Sequence, residues 1–140
     1  MKIKLYIVIL LGVSIISSAI QADNATTQPY VYFISPSNGE VIQSPVLVKF
    51  GLRGMGVAPA GIDKENTGHH HLLINLENLP ALDKPIPADD QHKHFGKGQT
   101  EAYVELAPGT HTLQLLFADF SHIPHDPAVV SKPITIHVVE

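Results

Sequence analysis

The chain has 140 residues, with 9 lysines and arginines against 13 aspartates and glutamates, nine histidines and no cysteine. An acidic chain without a basic run is a poor nucleic-acid binder. The missing cysteines exclude disulfide scaffolds, thiol nucleophiles, iron–sulfur clusters, thiolate zinc sites and blue copper.

Lys2 and Lys4 precede an almost wholly apolar run, residues 5–16, and small and polar residues lead on to Ala22. This is the layout of a secretory signal peptide over residues 1–22. Its apolar run falls short of the roughly 20 residues that a membrane span needs. Residues 23–140 are then expected to form a single exported domain, periplasmic or secreted, with no membrane span once the leader is cleaved. All nine histidines lie in that segment and outnumber its seven lysines and arginines.

The rest of the chain is punctuated like an all-β domain. Six strands are predicted in order: Tyr30–Ile34, Pro45–Phe50, His70–Leu76, Glu101–Leu106, His111–Ala118 and Ile134–Val139. Ser35-Pro-Ser-Asn-Gly39 and Ala107-Pro-Gly-Thr110 are turn clusters, and no segment sustains a helical period. Short strands between turn signals imply an immunoglobulin-like antiparallel β-sandwich of about six to seven strands. The long connections, 54–68, 77–98 and 119–131, carry most of the histidines or adjoin strand ends that do, and long loops in compact domains are usually functional or disordered.

Side chains alternate along a strand, so neighbours point to opposite faces. In the third strand Leu72, Ile74 and Leu76 should face the core together with His70. His69 and His71 then share the opposite face with Leu73, which some other segment must cover. In the fifth strand the inward set is His111, Leu113, Leu115 and Phe117.

In such a sandwich the third and fourth strands run the same way and the fifth runs back. Three histidine groups therefore meet at one tip: His69 to His71, His92 with His94, and His122 with His125. His111 starts the fifth strand, at the far end. The meeting requires residues 77–98 to cross back toward the tip.

Several blocks carry a resemblance along nearly the whole of the segment after the leader. They are V-K-F-G-L-R-G-M-G-V-A-P-A-G, T-G-H-H-H-L-L-I-N, P-I-P-A-D-D-Q-H-K-H-F-G-K-G-Q-T-E, P-G-T-H-T-L-Q-L-L-F-A-D and H-I-P-H-D-P. Together they resemble the bacterial family called domain of unknown function 4399. The resemblance implies an exported β domain and brings no activity with it. Its pattern has Gly-Asp after the Leu-Leu of the fifth strand. Here the chain reads Phe117-Ala-Asp-Phe-Ser-His122, which keeps Asp119 and His122 but gives Phe120 no ligand role.

Neutral imidazole is the commonest protein ligand for Zn(II) and Cu(II). His69-x-His71 and His92-x-His94 each place two rings on one side of an extended segment, and His122-x-x-His125 is a loop pair held by Pro124. These six residues are the candidate metal ligands. His70 and Asp119 are candidates for the layer around them, orienting imidazoles rather than binding the ion. A lone histidine is more often a hydrogen-bonded structural residue, and His111 and His137 are read that way. The leading expectation is a His-rich periplasmic module for copper or zinc, in storage, delivery or sensing, with a periplasmic protein as a further partner. A metalloenzyme on a β-sandwich, or a metal-free module that binds protein or glycan through Tyr30, Tyr32 or Phe120, are the alternatives. Glu101 and Glu105 read as a solvated strand face, and no catalytic residue is assigned.

Overall fold

A computed structural model describes residues 28–140; the leader read over residues 1–22 lies outside them. The described residues form ten strands and no helix. Six of them correspond to the predicted strands: β1 (Tyr30–Ser35), β3 (Val46–Arg53), β5 (Thr67–Ile74), β7 (Glu101–Val104), β8 (Gly109–Ala118) and β10 (Ile134–Val139). The other four are β2 (Val41–Gln43), β4 (Gly56–Val57), β6 (His92–Phe95) and β9 (Pro124–Val130). They formed unannounced because they are short or polar and lack an apolar alternation of their own.

The strands divide into two sheets. One has the order β1-β3-β7; the other runs β2-β10-β8-β5, with β4 and β6 on the free flank of β5 and β9 beside β8. The first, second and fourth predicted strands thus oppose the third, fifth and sixth, a partition consistent with an immunoglobulin-like sandwich. The core between the sheets takes Val31, Val46, Val48, Phe50 and Val104 from one side and Leu72, Ile74, Leu113, Leu115, Phe117, Ile136 and Val138 from the other. Every second residue of β8 is in that set, as alternation requires. His111 is the exception at its start: it is only half-buried, with Nε2 2.8 Å from the Ala107 carbonyl and Nδ1 3.0 Å from the Asn75 amide.

The other face of β5 and β8 is also dry. Leu73, Leu116 and Ala118 are buried there beneath Ile86, with Leu76 packed alongside. Leu76 was expected in the main core. The strand stops at Ile74, and Asn75 takes a left-handed φ of 55°, so the alternation does not carry through. Asn tolerates this conformation better than most residues, and the side chain of Asn75 ties the strand end to β8, Oδ1 accepting from Thr112 N at 2.9 Å.

Residues 77–98 cross back as the histidine reading required. They do so by adding β6 antiparallel to β5, in the sheet of β8 and β10, rather than by extending the β1-β3-β7 sheet. Upstream of β6 the same segment lays Ile86 over the outer face of β5, and Ile86 N donates to the His122 carbonyl at 2.9 Å.

Phe117 sits where these parts meet. It is fully buried in the main core, its ring centroid 5.0 Å from that of His70 and 5.8 Å from that of His125. Phe117→Ala is expected to cost about 3–5 kcal/mol of unfolding free energy. Urea denaturation of the variant and the parent measures the difference.

Candidate metal centre

The site is built on β5. Pairing fixes which residues surround it: His69 lies opposite Ala118 and His71 opposite Leu116 on β8, while on the other flank His71 faces His94 and His70 faces Phe95 of β6. Directly opposed residues of an antiparallel pair bring their Cβ atoms to about 4.5–5.5 Å. One face of the sheet therefore receives His69, His71 and His94 together. His70 points the other way, between Phe50 and Phe117, with ring centroids 4.9 and 5.0 Å away.

Glycines make room for this arrangement. A Cβ on Gly96 would overlap the His94 ring at Cε1 and Nε2. One on Gly68 would overlap the Ala118 carbonyl oxygen. Gly96-Lys-Gly98 reads in the sequence only as a turn, and Gly98 does take a φ of 82°. The role of Gly96, seating the ring of His94, is invisible without the fold.

A fourth ring comes from the loop between β8 and β9. His122 has a left-handed φ of 70° inside a turn that Asp119 holds closed. Asp119 Oδ1 accepts from Ser121 N at 2.8 Å, Ser121 Oγ at 2.8 Å and Ile123 N at 2.9 Å. Partial burial opposes ionisation of this carboxyl, but the hydrogen bonds outweigh it and hold the group below its usual range. Asp119 thus acts on the site by shaping the turn that presents His122.

The four rings are mutual neighbours. His69 lies 4.8 Å from His71, 5.0 Å from His94 and 5.0 Å from His122, centroid to centroid. His71 lies 5.2 Å from His94 and 5.9 Å from His122, and His94 lies 4.8 Å from His122. His69, His71 and His94 also offer one ligand nitrogen each, all within 4.8 Å of one another.

The remaining candidates lie around this group. His92 faces Leu73, two pairs further along β6, and its Nδ1 is 2.7 Å from Asp89 Oδ1. His125 stacks on Phe117, with Nε2 buried. His137 pairs with the Thr110 hydroxyl at 3.0 Å, a structural role like that of His111. Sequence spacing therefore named four residues that the fold brings together, His69, His71, His94 and His122, and two that it sets apart, His92 and His125.

The family model for a domain of unknown function (DUF4399) matches residues 48–139. The chain belongs to the DUF4399 family. That match spans β3 to β10 and so includes every residue of the four-histidine group. Neither a curated protein nor a solved structure matches the chain.

The electrostatics follow from crowding and burial. His69, His70 and His71 are each at most 1 % exposed. Both ring nitrogens of His69 and His70, and Nδ1 of His71, have no hydrogen-bond partner among the described residues. Burial, and then the nearness of His94 and His122, pushes the His69 pKa down to about 4. Burial, and then His69, His94 and His122, takes His71 to about 3. His70 falls to about 4, by burial and then His69, and burial followed by His122 lowers His94. All of these histidines are therefore neutral near pH 7, the form in which imidazole offers a lone pair to a metal.

These shifts carry a sign for stability. As pH falls below about 6.5, the unfolded chain takes up protons that the folded chain refuses, so metal-free protein loses stability. The loss from these groups continues until the pH passes their folded values of about 4 and 3. Thermal melts of metal-free protein between pH 7.5 and 4 should show a falling Tm. His70→Phe, which puts an apolar ring into an aromatic pocket, should raise the Tm at pH 5 more than at pH 7.5.

Proposed function

We propose that this protein is an exported metal-binding domain that takes one Zn(II) or Cu(II) ion at His69, His71, His94 and His122. The observation that carries this reading is the set of six ring separations, 4.8 to 5.9 Å, among four imidazoles. A tetrahedral ion about 2.0–2.1 Å from each nitrogen requires ring centroids about 5 Å apart. Binding then draws the nitrogens inward from their present positions.

The unpartnered nitrogens support the same conclusion. An unsatisfied buried polar group costs about 1–3 kcal/mol, and native proteins carry few without a reason such as an ion. His69 and His71 have three such nitrogens on the side facing His94 and His122. An ion there would use two of them.

Four protein nitrogens complete a tetrahedral set and leave no open position for a substrate. This favours holding, delivering or sensing the ion over catalysis. His94, the exposed member of the group, gives the ion its route from solvent. Export rests on the leader layout of residues 1–22, and delivery would hand the ion to a periplasmic protein partner.

Titration calorimetry of metal-free protein with Zn(II) and with Cu(II) at pH 7.5 tests this. One ion per chain is expected. His69→Ala with His71→Ala should weaken binding by at least about 100-fold, the upper range for losing even a supporting residue. His137→Ala should bind as the parent does, and equal affinity in those two variants would end the reading. Gly96→Ala retains all four ligands but pushes the His94 ring aside, so it should weaken binding while the Tm of the metal-free form stays near that of the parent.

A further inference from the structure

The outer face of the β1-β3-β7 sheet carries a second built feature, away from the histidines. Tyr30 and Tyr32 alternate with the buried Val31, so both project outward from β1. Register places Tyr32 opposite Gly51 and Tyr30 opposite Arg53 on β3. A Cβ on Gly51 would meet Cε1, Cζ and Cε2 of Tyr32 at nearly the same distance and overlap all three. The ring therefore covers Gly51 face-on, which only a residue without a Cβ allows. The Tyr30 ring lies nearly parallel, 10° off in plane and 5.6 Å away between centroids. Tyr30 and Tyr32 remain 39 % and 38 % exposed, and Tyr103 of β7 on the same sheet is 71 % exposed.

The charged residues that line the clefts beside the pair are basic. A cleft of about 310 Å³ beside the tyrosines includes Lys132 and no acidic residue, and Arg53 borders the rings on the opposite side. Lys49 follows on the same face of β3, where Glu101 sits across from it and offsets it. In a chain with more acidic than basic residues, an aromatic patch flanked by Arg53 and Lys132 selects for an anionic partner.

We infer that this face binds a carboxylated sugar chain, a polymer of pyranose rings bearing uronate-type groups. The axial C–H groups of a pyranose carry partial positive charge and pack on the negative face of an aromatic ring. Two parallel, offset tyrosines offer successive rings of a β-1,4-linked chain a continuous surface. Arg53 and Lys132, on the two flanks, meet its carboxylates as charge-assisted hydrogen-bond donors. The patch shares no residue with the four-histidine group, so it stands or falls independently of the metal reading.

The chain has no tryptophan, and only three tyrosines lie beyond residue 22, all on this sheet, so tyrosine fluorescence reports the face directly. The test titrates purified protein with a β-1,4-glucuronate hexamer, with cellohexaose as the neutral analogue and with polyglutamate as a peptide polyanion. Saturable binding of the glucuronate hexamer is expected, at least about tenfold tighter than either comparison ligand. Tyr32→Ala and Arg53→Ala should each weaken it. Gly51→Val should do the same, with both tyrosines retained, because it lifts the Tyr32 ring from the sheet. Lys64→Ala, at an exposed residue outside both sites, should bind the hexamer as the parent does. No binding of the hexamer would overturn the inference. Equal binding of polyglutamate would reduce the face to a charge patch, equal binding of cellohexaose would remove the role of the carboxylates, and parent-like affinity in Tyr32→Ala would remove the platform; each overturns it.

Discussion

The constraint on which the structure turns is the burial of three consecutive imidazoles in one strand. A strand shows successive side chains to opposite faces, so a run of three cannot lie on one side. His70 goes into the main core against Phe50 and Phe117, and His69 and His71 are buried on the other face, the one that also buries Leu73, Leu116, Ala118 and Ile86. Both faces of β5 must therefore be dry, and the strand is buried from Gly68 to Ile74. The second hydrophobic cluster, the return of residues 77–98 and the pairing of β6 all serve that requirement. Without them His69 and His71 would be solvated, and the three ring nitrogens that now have no partner would bond to water.

The same burial keeps the group poised. His69 and His71 resist protonation because a positive charge there would be poorly solvated and would sit near the other imidazoles of the group. Asp119 supplies the nearest countervailing charge, yet its carboxylate is spent on the backbone of its own turn. Structure and electrostatics here have one cause: the turn that brings His122 close is the turn that consumes the acid.

Much of the fold was legible because it follows from patterns of period two. All six apolar strands were visible, and alternation alone separated His70 from His69 and His71. What was not legible depended on pairing rather than on pattern. His92-Lys-His94-Phe95 has no apolar alternation that announces a strand, so its register against β5, which puts His94 beside His71, could not be read. The choice of His122 over His125 hangs on one left-handed residue and three hydrogen bonds to Asp119, none of which spacing encodes. Leu76 was misplaced for a similar reason, a single αL residue at Asn75 ending the strand. Gly51 and Gly96 look like ordinary punctuation until the rings that lie on them are known.

The four histidines are not held alike. Three stand on paired strands, His69 and His71 on β5 and His94 on β6, while His122 rides a loop whose carbonyl is bonded to the covering segment at Ile86. On the metal-binding reading, three ligands on the sheet take up the ion and His122, on its hydrogen-bonded turn, completes the set. The rate of capture then belongs mainly to the sheet, and the residence time, with the affinity that follows from it, to the loop. Loosening the turn at Asp119 would speed release much more than it slowed capture, so the lifetime of the bound ion could be tuned without rebuilding the strands that hold it.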